Sequence, residues 1–264
     1  ILEFNADTPT SLLEASVIQW QWKEDVFPEC DQFNGIHEGL VQSWKDIFPK
    51  KGEIHFAGAL ENNEDTGTLQ YLASTAMEAG FSTRVLDMQA LDLQNGRFFD
   101  PAGELVNRCF KLYPWEWMVD ESPDGCLAEM EWLEPIWKLV MSNKAILATL
   151  YELFPDSPYV LPCYLSRPRS GLFCKKPVFS REGHNVSVVD IRDWEEYVRI
   201  AETEGDYNTG AYVYQEYAEP TAYSGRYPVI GSWIIGGEAA GIGIRENRME
   251  VTDNLSEFVP HIIG

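Results

Sequence analysis

The chain has 264 residues, of which 45% are hydrophobic and 23% charged, typical of a globular protein with one large or two modest domains. Its 42 acidic and 20 basic side chains give a net charge of −22. A field of this sign repels nucleic acid and anionic membranes and attracts cationic ligands, although solubility alone would also account for it. Because of this charge we expect no nucleic-acid partner. No apolar run reaches membrane-span length and no signal peptide opens the sequence, so we expect no membrane partner either.

The five cysteines are an odd number, lie far apart in the sequence and form no Cys-x-x-Cys pair. This pattern is typical of a reducing compartment and argues against a zinc site. We therefore expect a cytoplasmic protein.

The first ten residues, Ile1 to Thr10, are interpreted as a buried strand that ends in an active site. Glu3 and Asn5 lie two positions apart, so on a strand they share one face. Leu2 and Phe4 would then point the other way, into a core. A carboxylate beside a carboxamide offers hard oxygen ligands suited to Mg²⁺. The alternative is an edge strand with two solvated polar residues.

Two helices are predicted after this segment. Thr8 followed by Pro9 is typical of an N-cap with proline at the first helical position, and the helix would run to about Trp22. A second amphipathic helix is predicted over Asp31–Phe48.

A βαβ unit follows these helices. It consists of a strand at Glu53–Leu60, a helix at Thr68–Gly80 and a strand at Phe81–Met88. This order places Glu64 and Asp65, in the intervening loop, at the carboxyl end of a parallel sheet, where ligands usually bind. The alternative is a solvated acidic loop.

The second half of the chain carries candidate phosphate ligands. Lys144 opens a predicted helix that ends at Phe154, and a cation there opposes the helix dipole, which indicates an anionic partner or else a solvated lysine. A predicted strand at Leu172–Val178 carries Lys176 and is followed by a small-residue loop that reaches Gly183. Such a loop can cradle phosphates through its N–H groups, although this signal alone is weak.

The remaining elements are a helix predicted over Trp194–Glu204, a strand at Ala211–Tyr217 and a glycine-turned hairpin. The end of the strand can offer backbone donors and acceptors to an adenine edge. Arg245 ends the hairpin, where it could meet a phosphate or pair with Glu246 on the surface.

Taken together, several separated segments resemble the synthetase domain of glutathionylspermidine synthases, an ATP-grasp group that includes stand-alone bacterial homologues without an amidase domain. The matching segments are 3–8 (Glu-Phe-Asn-Ala-Asp-Thr), 175–183 (Lys-Lys-Pro-Val-Phe-Ser-Arg-Glu-Gly), 214–217 (Tyr-Gln-Glu-Tyr) and 227–246 (Tyr-Pro-Val-Ile-Gly-Ser-Trp-Ile to Ala-Gly-Ile-Gly-Ile-Arg-Glu). They span nearly the whole chain in the family's order, so their combination is far more specific than any single segment.

The resemblance implies an α/β (α+β) fold, a circularly permuted ATP-grasp in which the metal ligands precede the nucleotide lysines. A preATP-grasp-like βαβ lobe is expected at 1–142. A nucleotide-binding lobe with a flap at 172–192 is expected at 143–264.

The resemblance also assigns residues to each ligand. It places Mg²⁺ on Glu3 and Asn5, ATP on Lys144, Lys176, Gly183, Gln215, Glu216 and Tyr217, catalysis on Arg245 and Lys176, and the substrates near Thr8, Thr10, Glu64, Asp65 and Arg181. The family's third metal ligand, an aspartate, and a phosphate-contacting arginine lie before residue 1. The chain also has no initiator Met, so we expect an N-terminal portion that precedes this sequence.

The activity implied is an ATP- and Mg²⁺-dependent ligase that joins a carboxylate to an amine through an acyl phosphate. Glutathione or a similar peptide would supply the acid, and a polyamine the amine. The chain departs from the bifunctional enzymes at Thr8-Pro9-Thr10, where they have Ser-Ala-Ser, and around Tyr113-Pro-Trp-Glu116. Both departures concern substrates, so two alternatives stay open: an ATP-grasp peptide ligase with other substrates, and a catalytically silent nucleotide-binding homologue.

Overall fold

The computed structural model describes residues 1–193, 196–207, 210–249 and 256–264. The chain divides into two compact units. Lobe 1 comprises Ala6–Leu139, Ile230–Ile244 and Phe258–Gly264, and lobe 2 comprises Ile1–Asn5, Val140–Val229 and Arg245–Glu257. The predicted division of roles between a substrate part and a nucleotide part stays a prediction.

The described residues form a mixed α/β structure. Its helices are a π-helical segment at Glu14–Ile18, α1 (Gln19–Val26), α2 (Ile36–Ile47), α3 (Asn63–Glu78), a 3-10 turn at Met88–Ala90, α4 (Trp115–Glu121), α5 (Pro123–Cys126), α6 (Lys138–Ser142) and α7 (Ile146–Leu153). Its strands are β1 (Glu53–Gly58), β2 (Ser82–Asp87), β3 (Asp92–Gln94), β4 (Arg97–Phe99), β5 (Leu105–Val106), β6 (Arg108–Leu112), β7 (Glu131–Leu133), β8 (Cys163–Tyr164), β9 (Gly171–Pro177), β10 (Ser187–Ile191), β11 (Tyr197–Glu202), β12 (Tyr212–Glu216), β13 (Tyr227–Ile235), β14 (Glu238–Asn247) and β15 (Glu257–Val259).

Lobe 1 is built on a four-stranded sheet in the order β2-β1-β6-β7. All three pairings are parallel, and α3 connects β1 to β2. The predicted βαβ unit is therefore confirmed. A parallel sheet of this kind is covered by helices, which explains why the middle of β1 is continuously buried rather than alternating.

Aromatic packing fills one face of this sheet. The fully buried Phe56 stacks on Phe110 of the neighbouring strand, with ring centroids 5.9 Å apart. Trp44 of α2 packs edge-on against Phe56 at 5.7 Å. The indole N–H of Trp44 donates a hydrogen bond of 2.9 Å to Thr75 of α3, which satisfies the one polar atom that this packing buries.

Lobe 2 is built on a five-stranded sheet in the order β11-β10-β9-β12-β8. Every pairing in it is antiparallel. The central β9 carries Lys176 and pairs with β12 on one side and β10 on the other, so a hairpin loop connects β9 to β10.

The predicted glycine-turned hairpin is also confirmed, as β13 and β14 of a three-stranded sheet completed by β15. Gly236 and Gly237 form its turn with φ of 61° and 90°. Glycine adopts these left-handed conformations without the strain that a Cβ would add.

The predicted opening strand is wrong. Residues 1–5 form no strand and are exposed, with Leu2 at 48% and Phe4 at 39% exposure. Instead of pairing with a neighbouring strand, the carbonyl oxygens of Ile1 and Leu2 accept hydrogen bonds from side chains of lobe 2.

Several predicted helix starts are also wrong, and α2, for example, begins at Ile36 rather than at Asp31. Thr8 does not cap a helix, because Ser11 adopts a left-handed φ of 60° and helical conformation begins only at Leu12. Glu64 and Asp65 do not lie in a loop, because α3 begins at Asn63, where Asn62 accepts a hydrogen bond from the Glu64 N–H.

The helix predicted over Trp194–Glu204 is wrong wherever the structure describes it. Residues 194 and 195 lie outside the described residues. Tyr197–Glu202 form β11, antiparallel to β10. Tyr197, Val198 and Ile200 are residue types that favour strands, which explains the outcome.

None of the helices in the described ranges combines the length and the apolar composition that a membrane span requires.

We expect Phe56→Ala to lower the free energy of unfolding by about 3–5 kcal/mol, because it leaves a cavity between two rings that cannot close it. Chemical denaturation measures this loss. The control is Leu127→Ala, at a side chain that is 84% exposed, which should change stability by less than about 0.5 kcal/mol. Equal effects would contradict the described core.

Candidate active site

Lys176 and Gln215 form a buried polar pair in lobe 2. Lys176 on β9 pairs with Val213 on β12, so Gln215 occupies the diagonal position on the same face. The Lys176 Nζ donates a hydrogen bond of 2.8 Å to the Gln215 Oε1 and one of 3.0 Å to the carbonyl oxygen of Leu2. The Gln215 Nε2 donates 2.9 Å to the carbonyl oxygen of Ile1. The pair therefore links the adjacent strands β9 and β12, and it also holds the first two residues of the chain.

Lys144 is the second buried cation of lobe 2, and it lies just before α7 rather than inside the predicted helix. Its Nζ donates 2.7 Å to the carbonyl oxygen of Ser180 and lies 3.3 Å from the Glu3 Oε2. Burial lowers the pKa of Lys144, and the nearby Glu3 carboxylate opposes that shift. The site therefore holds an ammonium group in a place that disfavours its charge, which is common at functional sites.

The loop between β9 and β10 is the predicted flap. Glu182, Gly183 and Asn185 all have left-handed φ, at 57°, 70° and 54°. Thr203 donates to the carbonyl oxygen of Gly183, which ties the flap to the segment after β11. Within the described ranges, the buried Ser180 hydroxyl has no hydrogen-bond partner. A buried hydroxyl in this position suits an oxygen-rich ligand such as a phosphate.

Two backbone N–H groups at the end of β12, which the sequence analysis offered to an adenine, already donate hydrogen bonds within the protein. The backbone N–H of Glu216 donates 2.7 Å to Pro162, and that of Tyr217 donates 3.0 Å to Leu172. Because these donors already have protein partners, an adenine contact by these two residues would use other atoms.

Glu3, Asn5, Arg181 and Arg245 also belong to lobe 2. Glu3 and Asn5 are exposed, and the two arginines are half-buried. No cluster of three or more His, Cys, Asp or Glu side chains able to hold a metal is present in the part of the chain that the structure describes. The oxygens of Glu3 and Asn5 nevertheless suit Mg²⁺, which usually keeps several waters and needs only one or two protein carboxylates.

The other four predicted substrate residues belong to lobe 1. Glu64 and Asp65 lie in the first turn of α3, just after the carboxyl end of β1. Thr8 is buried and Thr10 is exposed.

Among the residues to which the sequence assigned no ligand, the structure buries Asp7, Lys111 and Ser180. Asp7 and Ser180 lie inside the motifs that carry the family resemblance. For these two residues, the available signal was their position among residues to which the resemblance assigns ligands. Lys111 had none, because an isolated lysine in a strand ordinarily faces solvent.

The fold defines an α/β class that also contains a provisionally named gamma-glutamylcysteine synthetase from Methylobacillus flagellatus KT. The TM-score is 0.59 at 10% identity, over 85% of this chain and 72% of that one. At this identity the likeness concerns the fold alone. The chain itself belongs to the glutathionylspermidine synthase preATP-grasp family, whose model matches residues 1–264. The resemblance seen in the sequence is therefore confirmed.

Named relatives cover nearly the whole chain. A Haemophilus influenzae (strain Rd) protein provisionally named acid–amine ligase is 38% identical, over 99% of this chain and 70% of its own length. The trypanothione synthetase of Crithidia fasciculata is 28% identical, over 97% of this chain and 43% of its own. The bifunctional glutathionylspermidine synthetase/amidase of Escherichia coli K12 is 25% identical, over 100% and 47%. The chain thus spans less than half of the latter two, and all three carry the names of bond-forming enzymes, as the sequence predicted for this chain.

We expect Gln215→Leu to lower the free energy of unfolding by about 1–3 kcal/mol, because it leaves a buried ammonium and the Ile1 carbonyl each short of a partner. Urea denaturation measures the loss. Gln70→Leu makes the same change at an exposed position of α3 and should be nearly neutral. A Gln215 variant as stable as the Gln70 variant would contradict the buried pair.

Proposed function

We propose that the protein is an ATP- and Mg²⁺-dependent ligase that joins a carboxylate to an amine through an acyl phosphate. The observation that carries this proposal is the polar interior of lobe 2. Two buried lysines, Lys144 and Lys176, share that lobe with a left-handed flap and with the Ser180 hydroxyl, which has no hydrogen-bond partner among the described residues. Family membership supports the same chemistry.

ATP is the co-substrate for which these groups are suited. Lys144 and Lys176 would offset the negative charge of the phosphates, and the flap around Gly183 would cradle them with N–H groups. Gln215, Glu216 and Tyr217, at the end of β12, would border the adenine. The order of the chain, with Glu3 and Asn5 before both lysines, supports the circular permutation.

Mg²⁺ would be held by Glu3 and Asn5, and when bound it neutralises charge on the β- and γ-phosphates. The Glu3 Oε2 lies 3.3 Å from the Lys144 Nζ, which supports the proposal that the metal ligand and the phosphate-binding lysine act at the same site.

The proposed reaction has two balanced steps. A carboxylate oxygen of the first substrate attacks the γ-phosphorus, and ADP leaves. The amine then attacks the acyl carbon, phosphate leaves with that oxygen, and the amine loses a proton to form the amide. Arg245 and Lys176 would stabilise charge on the transferring phosphoryl group, and flap closure would keep water from the acyl phosphate.

The substrates we propose are a glutathione-like peptide and a polyamine such as spermidine, as the names of two relatives indicate. Thr8 and Thr10 are the proposed substrate contacts of lobe 1, together with Glu64 and Asp65, and Arg181 is the proposed substrate contact of lobe 2. The carboxylates of Glu64 and Asp65 suit a cationic amine, whose encounter rate the net charge of −22 would raise. A cytoplasmic location accords with five free thiols.

The test measures ADP release with ATP, Mg²⁺, glutathione and spermidine. We expect Lys176→Ala and Arg245→Ala each to lower kcat by about 10²–10³-fold, because each removes a cation from the transferring phosphoryl group. The control is Arg169→Ala, at an exposed residue of the same lobe, which should retain wild-type turnover.

Unchanged turnover in Lys176→Ala would contradict the proposed mechanism. Turnover with other peptides and amines, but not with glutathione and spermidine, would indicate a ligase with other substrates. ATP binding without turnover on any acceptor would indicate a nucleotide-binding protein that lacks ligase activity.

A further inference from the structure

Lobe 1 buries an ion pair that the proposed chemistry does not use. Asp7 is 1% exposed and Lys111 is 0% exposed, with the Lys111 Nζ 3.9 Å from the Asp7 Oδ2. Taking two charges out of water is costly before their attraction is counted, so a buried pair is weak evidence of a stabilising role. The position of this pair points to another purpose.

Both members of the pair hold the start of α4. The Asp7 Oδ2 accepts a hydrogen bond of 3.0 Å from the backbone N–H of Trp115, across a separation of 108 residues. The preceding residue, Pro114, provides no side-chain cap, so the Asp7 carboxylate takes that role and also complements the helix dipole. Lys111 donates 2.9 Å to the carbonyl oxygen of Tyr113, and its Nζ lies 4.4 Å from the Trp115 ring centroid.

The pair lies at the carboxyl edge of the parallel sheet. Lys111 is near the end of β6, where Leu112 pairs with Gly58 at the end of β1. Ligands of open parallel sheets bind at this edge. Thr8, a residue assigned to substrate in the proposed function, directly follows Asp7 and is itself buried. Whatever fixes Asp7 therefore fixes Thr8.

We propose that Asp7 is a positioning residue for the carboxylate substrate: its carboxylate, neutralised by Lys111, anchors the Asp7–Thr8 peptide to the first turn of α4. This inference rests on the proposed ligase function. It predicts that loss of the anchor weakens use of the carboxylate substrate while leaving the use of ATP intact, because the contacts proposed for ATP belong to lobe 2.

The hydrogen bond from the Trp115 N–H to Asp7 can be tested without an enzyme assay. The Trp115 amide should be protected from hydrogen exchange in the wild type and in Asp7→Asn, which keeps an acceptor oxygen. It should lose that protection in Asp7→Ala. Asp120→Asn, at an exposed residue of α4, is the control and should match the wild type. Wild-type exchange at Trp115 in Asp7→Ala would overturn the proposal.

Two double variants separate positioning from charge compensation. Asp7→Ala or Lys111→Met alone removes one member of the 3.9 Å ion pair and leaves the other buried, so each should lower Tm, and Asp7→Ala/Lys111→Met should regain part of it. In that double variant the KM for glutathione should stay raised about tenfold or more, with the KM for ATP within about twofold of wild type. Asp7→Asn/Lys111→Met restores the acceptor and should restore the KM.

A wild-type KM for glutathione in Asp7→Ala/Lys111→Met would show that the pair serves stability alone and would overturn the proposal. The absence of turnover in both the wild type and Asp120→Asn would instead contradict the proposed function. In that event the exchange at Trp115 still decides whether Asp7 anchors α4.

Discussion

The hydrogen bond between the Lys176 ammonium and the Gln215 carboxamide is the interaction on which the organisation of lobe 2 depends. It joins the two central strands of the sheet on their buried face, and both partners also reach the carbonyl oxygens of residues 1 and 2. A buried ammonium without acceptors would cost more than the fold can easily tolerate. The segment that carries Glu3 is therefore held by the same lysine that we assign to phosphate.

Each lobe buries lysine ammonium groups that donate hydrogen bonds to backbone carbonyl oxygens. These neutral acceptors do not cancel the positive charge of the ammonium group. In lobe 2, Lys144 donates to the flap carbonyl of Ser180 and faces Glu3. In lobe 1, Lys111 donates to a loop carbonyl and faces Asp7. At such positions, hydrophobic residues of similar size would often give a protein of equal stability. The presence of the buried lysines is therefore better explained by chemistry or positioning than by stability.

The regular parts of the fold could be predicted from the sequence, because their signals are local. The βαβ unit followed from the order of strand, polar loop, helix and strand in the sequence, and the β13–β14 hairpin followed from its two glycines. The family followed from motifs that are specific only in combination.

The predictions that were wrong depended on tertiary context. The alternation of residues 1–5 was typical of a strand, but no strand in the described ranges pairs with them. The Thr8-Pro9 pair was typical of a helix start, but the backbone turns left-handed at Ser11. The partnership of Asp7 with Lys111 and Trp115 spans more than a hundred residues, so no local pattern could reveal it. In lobe 2, Lys144, Lys176 and Gln215 were named from the sequence, but their contacts with residues 1–3 followed from no local pattern.

Transfer of an oxygen atom tests the central claim most directly. Glutathione labelled with ¹⁸O in its carboxylates would be incubated with ATP, Mg²⁺ and spermidine, and the phosphate released would be examined by ³¹P NMR. An acyl phosphate requires each phosphate to carry one oxygen from the substrate carboxylate. Unlabelled phosphate formed along with the amide would contradict the mechanism proposed for this fold.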